Sequence, residues 1–326
     1  MSLRRTLTLG ILAASAHAAV LPVATLAEVP EVKAVPLTAV IGTSKMEGAV
    51  SDLQGNFYFC NMAADGLDVR SRGNIGILPG NRNAEIFVEL PEGMRGNGLR
   101  IGPDGNLYMA DQQGGRLVRI DIETKEITVL HDFGFEGLFW NNAPNDVAFS
   151  KDGQQIYVSC MKNGVWRLDL DGSNPEQVTS AYANGLDVSP DGQRLILATG
   201  IYKINADGRL SPTDSKPELP KQGYAYTDGL RCDADGNIYI SRAGAKIKQG
   251  DARVQQPGAV HVFSPEGKLI RNIIAPHERV HNVGFGGGSG NVLFLICPGD
   301  NGFIAYHTNG VEGLNQQRLR DWGLGE

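Results

Sequence analysis

The sequence predicts an all-β protein, a six-bladed β-propeller. Three observations lead there: a turn signal that recurs six times, an apolar or aromatic run directly after each recurrence, and a chain with 42 glycines but only 20% charged residues. The turns read Asp52-Leu53-Gln54-Gly55-Asn56, Pro103-Asp104-Gly105-Asn106, Lys151-Asp152-Gly153-Gln154, Pro190-Asp191-Gly192-Gln193, Ala234-Asp235-Gly236-Asn237 and the looser Gly288-Ser289-Gly290-Asn291. Their glycines stand about 47 residues apart on average. The runs that follow are Phe57-Tyr58-Phe59, Leu107-Tyr108-Met109, Ile156-Tyr157-Val158, Leu195-Ile196-Leu197, Ile238-Tyr239-Ile240 and Val292-Leu293-Phe294. A tight turn opening onto β-favouring side chains is the signature of a hairpin.

Each repeat holds room for further strands with alternating side chains, such as Gly115 to Asp121 and Gly164 to Asp169. One small sheet cannot bury both faces until neighbours flank it, so repeats of this length stack as blades. A β-sandwich has no use for such a period. The apolar, β-branched stretch Val32 to Ile41 precedes the first turn. It is expected to pair into the last blade and close the ring. No amphipathic helical pattern persists over several turns.

The amino terminus carries Arg4 and Arg5, the apolar stretch Leu7 to Ala16, and small residues at Ala13, Ala14, Ser15 and Ala16. That is the pattern of a secretory signal. Cleavage is expected after Ala27, with Ala18 as the alternative, leaving residues 28–326 as one propeller domain exported to the periplasm or medium. No later segment approaches the roughly 20 apolar residues of a membrane span. A formal charge of −6 argues against a nucleic-acid partner, which needs a clustered basic surface. A small-molecule partner is expected instead. Cys60, Cys160, Cys232 and Cys297 show no metal-ligand spacing and are expected to be buried thiols.

Stepping back eight residues from each turn glycine reaches Glu47, Asn97, Asn145, Asn184, Asp228 and Asn282. Every one carries a side-chain oxygen. In a propeller the strand before this turn is the innermost, so its leading residue stands at the channel mouth, where the six converge. Pairs such as Asn184-Gly185 and Asp228-Gly229 are also ordinary turn formers. The shared register, and the presence of Glu47 in it, favours a ligand ring. Two carboxylates meeting where water is scarce repel each other, and a divalent cation resolves the repulsion. Calcium, which accepts about 6 to 8 oxygen ligands, is the first choice, with manganese or magnesium behind it. Zinc would recruit histidine or cysteine, and neither occurs among the six.

At these residues the chain resembles the family of senescence marker protein, gluconolactonase and luciferin-regenerating enzyme, metal-dependent six-bladed propellers. The resemblance runs over about residues 44 to 300. It is carried by Glu47-Gly48 with Phe57-Tyr58-Phe59, by Glu136-Gly137 followed by Pro144-Asn145-Asp146-Val147, and by Asn184-Gly185-Leu186 with Ser189-Pro190-Asp191-Gly192. Asp228-Gly229-Leu230 with Asp233-Ala234-Asp235-Gly236, and Asn282-Val283-Gly284-Phe285-Gly286-Gly287, complete the set. The resemblance implies that Glu47, Asn145, Asn184 and Asp228 bind the ion and that Asp228 also acts in catalysis. It places Asn97 and Asn282 behind the ion or against the substrate.

The implied reaction is opening of a lactone or related ester, the ion polarising the carbonyl while Asp228 serves as general base or nucleophile. His281 is a candidate proton relay at the mouth, and Trp140, Phe139, Tyr224 and Tyr226 are candidate walls for a flat ring. Sugar-lactone members of the family often carry an arginine two residues before the blade-three asparagine, where this chain has Ala143, and often Thr-Asp-Pro where it has Val158-Ser159-Cys160. These departures speak against an aldonolactone and leave room for a substrate that is not a sugar lactone. The alternative to a hydrolase is a non-catalytic propeller that binds a ligand or partner and keeps calcium for structure; phosphotriester hydrolysis is a third reading.

Overall fold

The computed structural model describes residues 29–39, 45–62, 73–80, 83–135, 141–299 and 303–325. The expected signal, residues 1–27, lies outside the described residues. Six sheets radiate from a central channel, and their innermost strands are Met46–Ser51, Gly96–Ile101, Asp146–Phe149, Leu186–Val188, Tyr224–Cys232 and Asn282–Gly286. Each inner strand packs beside the next, and the sixth packs beside the first, so the blades form a closed ring. All six turn glycines hold positive φ, between 66° and 87°. Only glycine adopts that backbone readily, which is why the repeat is punctuated where it is.

In two blades a tyrosine two residues after the turn locks it from below. Tyr58 donates to Asp52 Oδ2 at 3.3 Å, and Tyr239 donates to Asp233 Oδ2 at 3.0 Å. Six apolar clusters make up the core, one at each blade-to-blade interface: Val50, Tyr58, Leu99 and Met109 join blades one and two, for example, and Tyr239, Val262, Phe285 and Leu293 join five and six. A blade alone would expose both sides of its sheet, so stability resides in the interfaces, at about 1.5–3 kcal/mol for each large side chain removed from water.

The first strands close the ring, though in two parts. Val35–Ala39 pairs antiparallel with Phe303–Thr308 as the outermost strand of blade six, with Val35 opposite Tyr306. Pro36 is tolerated there because an edge strand has one side free of ladder bonds. Glu31–Lys33 instead adds in parallel to Leu269–Ile274 of blade five, so the expectation that all of Val32 to Ile41 enters the last blade is corrected; residues 40 and 41 lie outside the described residues. The chain therefore straps two blades rather than one. Blade five also carries an extra hairpin, Lys246–Gln249 with Ala252–Gln255, between its second and third strands.

The only helix among the described residues, α1 (Leu314–Asp321), lies across the channel end opposite the strand-leading residues. Gln316 Nε2 donates to the carbonyl of Phe285 at 2.8 Å and to that of Ser51 at 3.2 Å. Arg318 donates to the carbonyls of Ser189 at 2.8 Å and of Phe149 and Val188 at 3.3 Å. No helix of the described residues is long and apolar enough to cross a membrane. The four cysteines are free and buried, as expected.

Candidate active site

Glu47, Asn97, Asn145 and Asn282 stand at or next to the start of an inner strand, Asn184 lies two residues before one, and Asp228 is the fifth residue of the long inner strand Tyr224–Cys232. Glu47, Asn97, Asn145, Asp228 and Asn282 are buried and Asn184 is half-buried. The glycines that follow some of them act by close approach. A Cβ on Gly185 would overlap the Gly229–Leu230 backbone, and one on Gly229 would overlap the Asn282 amide. Neither glycine has positive φ, so the reading of these pairs as turns does not hold. Cross-blade hydrogen bonds occupy the gaps: Gly98 N donates to Asn145 O at 2.6 Å, Gly185 N to Asp228 O at 3.3 Å and Gly229 N to His281 O at 2.8 Å.

Three side chains meet most closely. Glu47, Asp228 and His281 each offer a donor atom, and the three atoms lie within 4.8 Å of one another. His281 Nδ1 is 3.2 Å from Glu47 Oε1 and 3.3 Å from the Met46 carbonyl oxygen. Asn282 Nδ2 donates to Glu47 Oε2 at 3.4 Å, and the Asn184 amide hydrogen-bonds Asp228. Burial, then the charge of Glu47, pushes the Asp228 carboxyl well above the usual carboxylate range. Burial alone would lower the His281 pKa, but Glu47 and then Asp228 outweigh it and raise it to about 9. At neutral pH the imidazolium thus supplies positive charge to a buried acidic pair.

One to three residues further along the inner strands, the channel holds a layer of ion pairs. Arg231 Nη1 donates to Asp146 Oδ2 at 2.6 Å, and Arg100 Nη2 is 3.3 Å from Asp187 Oδ2. Arg100 also donates to the carbonyls of Val147 and Leu186, tying blades two, three and four together. Arg318 of α1 seals the layer from beneath.

The other candidates divide. Tyr226 is open at the mouth, 43% exposed. Tyr224 is engaged inside its own blade, its ring 4.4 Å from His261 and under the Arg242 guanidinium. Trp140, Phe139 and the Glu136-Gly137 motif lie outside the described residues. A groove of about 1060 Å³ between blades three and four, lined by Tyr157, Asp191, Asn205 and Trp322, is at the α1 end and contains none of the cluster.

The donor set fits a divalent cation. Ligands on opposite sides of one calcium at about 2.3–2.6 Å stand about 5 Å apart, which is the span of the cluster. His281, expected from the sequence at the channel mouth, brings a nitrogen to within 4.8 Å of the two carboxylates. Its signal in the sequence was adjacency to Asn282. Tyr182, which hydrogen-bonds Asn184, was not singled out from the sequence.

The chain matches the family described as the SMP-30/Gluconolactonase/LRE-like region over residues 81–297. It is 28% identical over 229 residues to a gluconolactonase of Zymomonas mobilis, covering 61% of this chain and 60% of that protein. It is 23% identical over 242 residues to a pentonolactonase of Haloferax volcanii, covering 72% of this chain and 64% of that protein. The chain thus spans under two thirds of the length of these curated relatives. Among solved structures, a calcium-binding regucalcin from Agrobacterium tumefaciens superposes with a TM-score of 0.60 at 16% identity, over 87% of this chain and 96% of that one. That likeness concerns the fold.

Proposed function

The chain belongs to the SMP-30/gluconolactonase/LRE-like family, and from that premise we propose that it is a metal-dependent lactonase. The observation that carries the reading is the convergence of Glu47, Asp228 and His281 within 4.8 Å, at the channel end opposite α1. In this reading Glu47, Asp228, Asn145 and Asn184 hold one divalent cation, with calcium first and manganese or magnesium as alternatives. When bound, the ion supplies Lewis-acid polarisation of the lactone carbonyl.

The protein's own groups do the rest. Asp228, oriented by the Asn184 amide, takes a proton from water as the water attacks the acyl carbon, or attacks that carbon itself. His281, fixed by Glu47 and the Met46 carbonyl, delivers a proton to the ring oxygen as the acyl C–O bond breaks. Water is added and a hydroxy acid leaves. Asn97 and Asn282 line the mouth, Asn282 steadying Glu47. The names of the two curated relatives support a lactone as substrate.

Hydrolysis of a panel of aldonolactones, aromatic lactones and aryl esters, before and after chelation and with Asp228→Asn, tests the proposal. Turnover that survives both treatments rejects the mechanism. Tight metal binding with no turnover on any member of the panel favours a binding propeller with a structural ion. Residues 1–27 are proposed as an export signal, tested by the mass of the mature amino terminus.

A further inference from the structure

Two residues before each leading side chain, the ring repeats with different chemistry. The positions hold Lys45, Arg95, Ala143, Tyr182, Tyr226 and Val280. Cations therefore occupy blades one and two, and Arg279, next to Val280, extends them to blade six. Tyrosines occupy blades four and five on the other side, Tyr182 and Tyr226 being 44% and 43% exposed.

The placement of the cations follows from the backbone. The Lys45 carbonyl accepts from Met62 N at 2.9 Å and the Arg95 carbonyl from Gln112 N at 2.9 Å, which fixes both at the channel-mouth ends of their blades. Arg279 N donates to His277 Nδ1 at 3.1 Å two residues before His281. The three positive groups stand at the mouth ends of three adjacent blades, six, one and two. Among the described residues, few groups neutralise them. Arg95 Nε is buried without a hydrogen-bond partner, while Asp111 accepts from the Arg95 backbone N–H at 2.9 Å and pairs with Arg116 at 2.6 Å. Arg279 faces Glu278 at 3.4 Å in an exposed pair, which contributes little.

Like charges held together beside an unpartnered guanidinium N–H are costly in the free protein and favourable once an anion arrives. Resting on the lactonase reading above, we infer that the mouth is built for a lactone bearing a negatively charged substituent, a carboxylate or a phosphate, held by Arg95, Lys45 and Arg279. The ring carbonyl then faces the Glu47–Asp228 cluster and the ring face lies towards Tyr182 and Tyr226. The guanidinium that Ala143 removes from blade three is in effect supplied from blade two, where it meets an anion rather than a hydroxyl.

The test compares kcat/KM for neutral gluconolactone, carboxylate-bearing glucarolactone and phosphorylated gluconolactone. A charged lactone is expected to be preferred by about tenfold or more, mostly through KM, as for a hydrogen bond to an ionised group. The preference should shrink in added salt and fall about tenfold in Arg95→Gln and in Arg279→Gln. Which charged lactone leads identifies carboxylate or phosphate. Equal use of all three, or a preference untouched by both variants, overturns the inference while leaving lactone hydrolysis standing. Calorimetric titration with glucarate and gluconate reads the site without turnover: tighter binding of the dicarboxylate, lost in Arg95→Gln, supports the inference, and equal binding overturns it. Charge-selective binding with no lactone opened would fail the hydrolase reading alone.

Discussion

His281 Nδ1 lies 3.2 Å from Glu47 Oε1, with the same nitrogen 3.3 Å from the Met46 carbonyl oxygen. This contact gives the cluster an internal cation that a metal ion must compete with. A folded-state pKa of about 9, against 6.5 unfolded, means His281 stabilises the fold fully below pH 6.5 and ceases to as pH rises through about 9. Chelator-treated protein should therefore lose a few degrees of melting temperature across that window, at about 2–4 °C per kcal/mol for a chain of this size. His281→Gln should flatten that part of the profile in a thermal scan against pH.

The Arg231–Asp146 pair is buried at the channel centre, with side chains 3% and 1% exposed. Removing one partner leaves the other charge uncompensated, so Arg231→Met should cost about 3–5 kcal/mol in denaturant unfolding. Adding Asp146→Asn should recover part of that loss. A double variant no more stable than the single one would contradict the role given to the pair.

Arg318 satisfies carbonyl oxygens from blades three and four. Arg318→Ala should destabilise by about 1–3 kcal/mol, because those buried acceptors lose their donor. Deleting residues 314–326 should cost more, since Leu314 and Leu319 leave the core as well. Equal melting temperatures for all three proteins would show that α1 is not a seal.

His261 is fully buried, and neither ring nitrogen has a hydrogen-bond partner. Burial, then Arg242, lowers its pKa to about 3. The unfolded chain binds the extra proton first, so stability is complete above pH 6.5 and falls as pH drops towards 3. His261→Leu should remove that component of acid unfolding, as followed by far-UV circular dichroism.

Much of the fold was legible because its signals are local. A turn needing positive φ selects glycine, so Gly55, Gly105, Gly153, Gly192, Gly236 and Gly290 announced six blades. Counting back from them found Glu47 and Asp228, since equivalent positions in a ring share one environment. What escaped is non-local or irregular. Arg231 and Asp146 are 85 residues apart, and nothing near either names its partner. His281 was placed at the mouth by its adjacency to Asn282, but its contact with Glu47, more than 230 residues away, has no local signal. Helix α1 buries Gln316 and Arg318 as well as leucines, a pattern that hydrophobic periodicity does not detect. Gly185 and Gly229 resembled turn residues, although what requires them is the next blade.

The most direct test is the rate of acid release from the best-turned-over lactone of the panel by one chelator-stripped sample as calcium is returned to it. The account predicts no enzymatic rate at the start and a rise that saturates near one ion per chain. A rate already present in the stripped protein, and indifferent to the added ion, would contradict it.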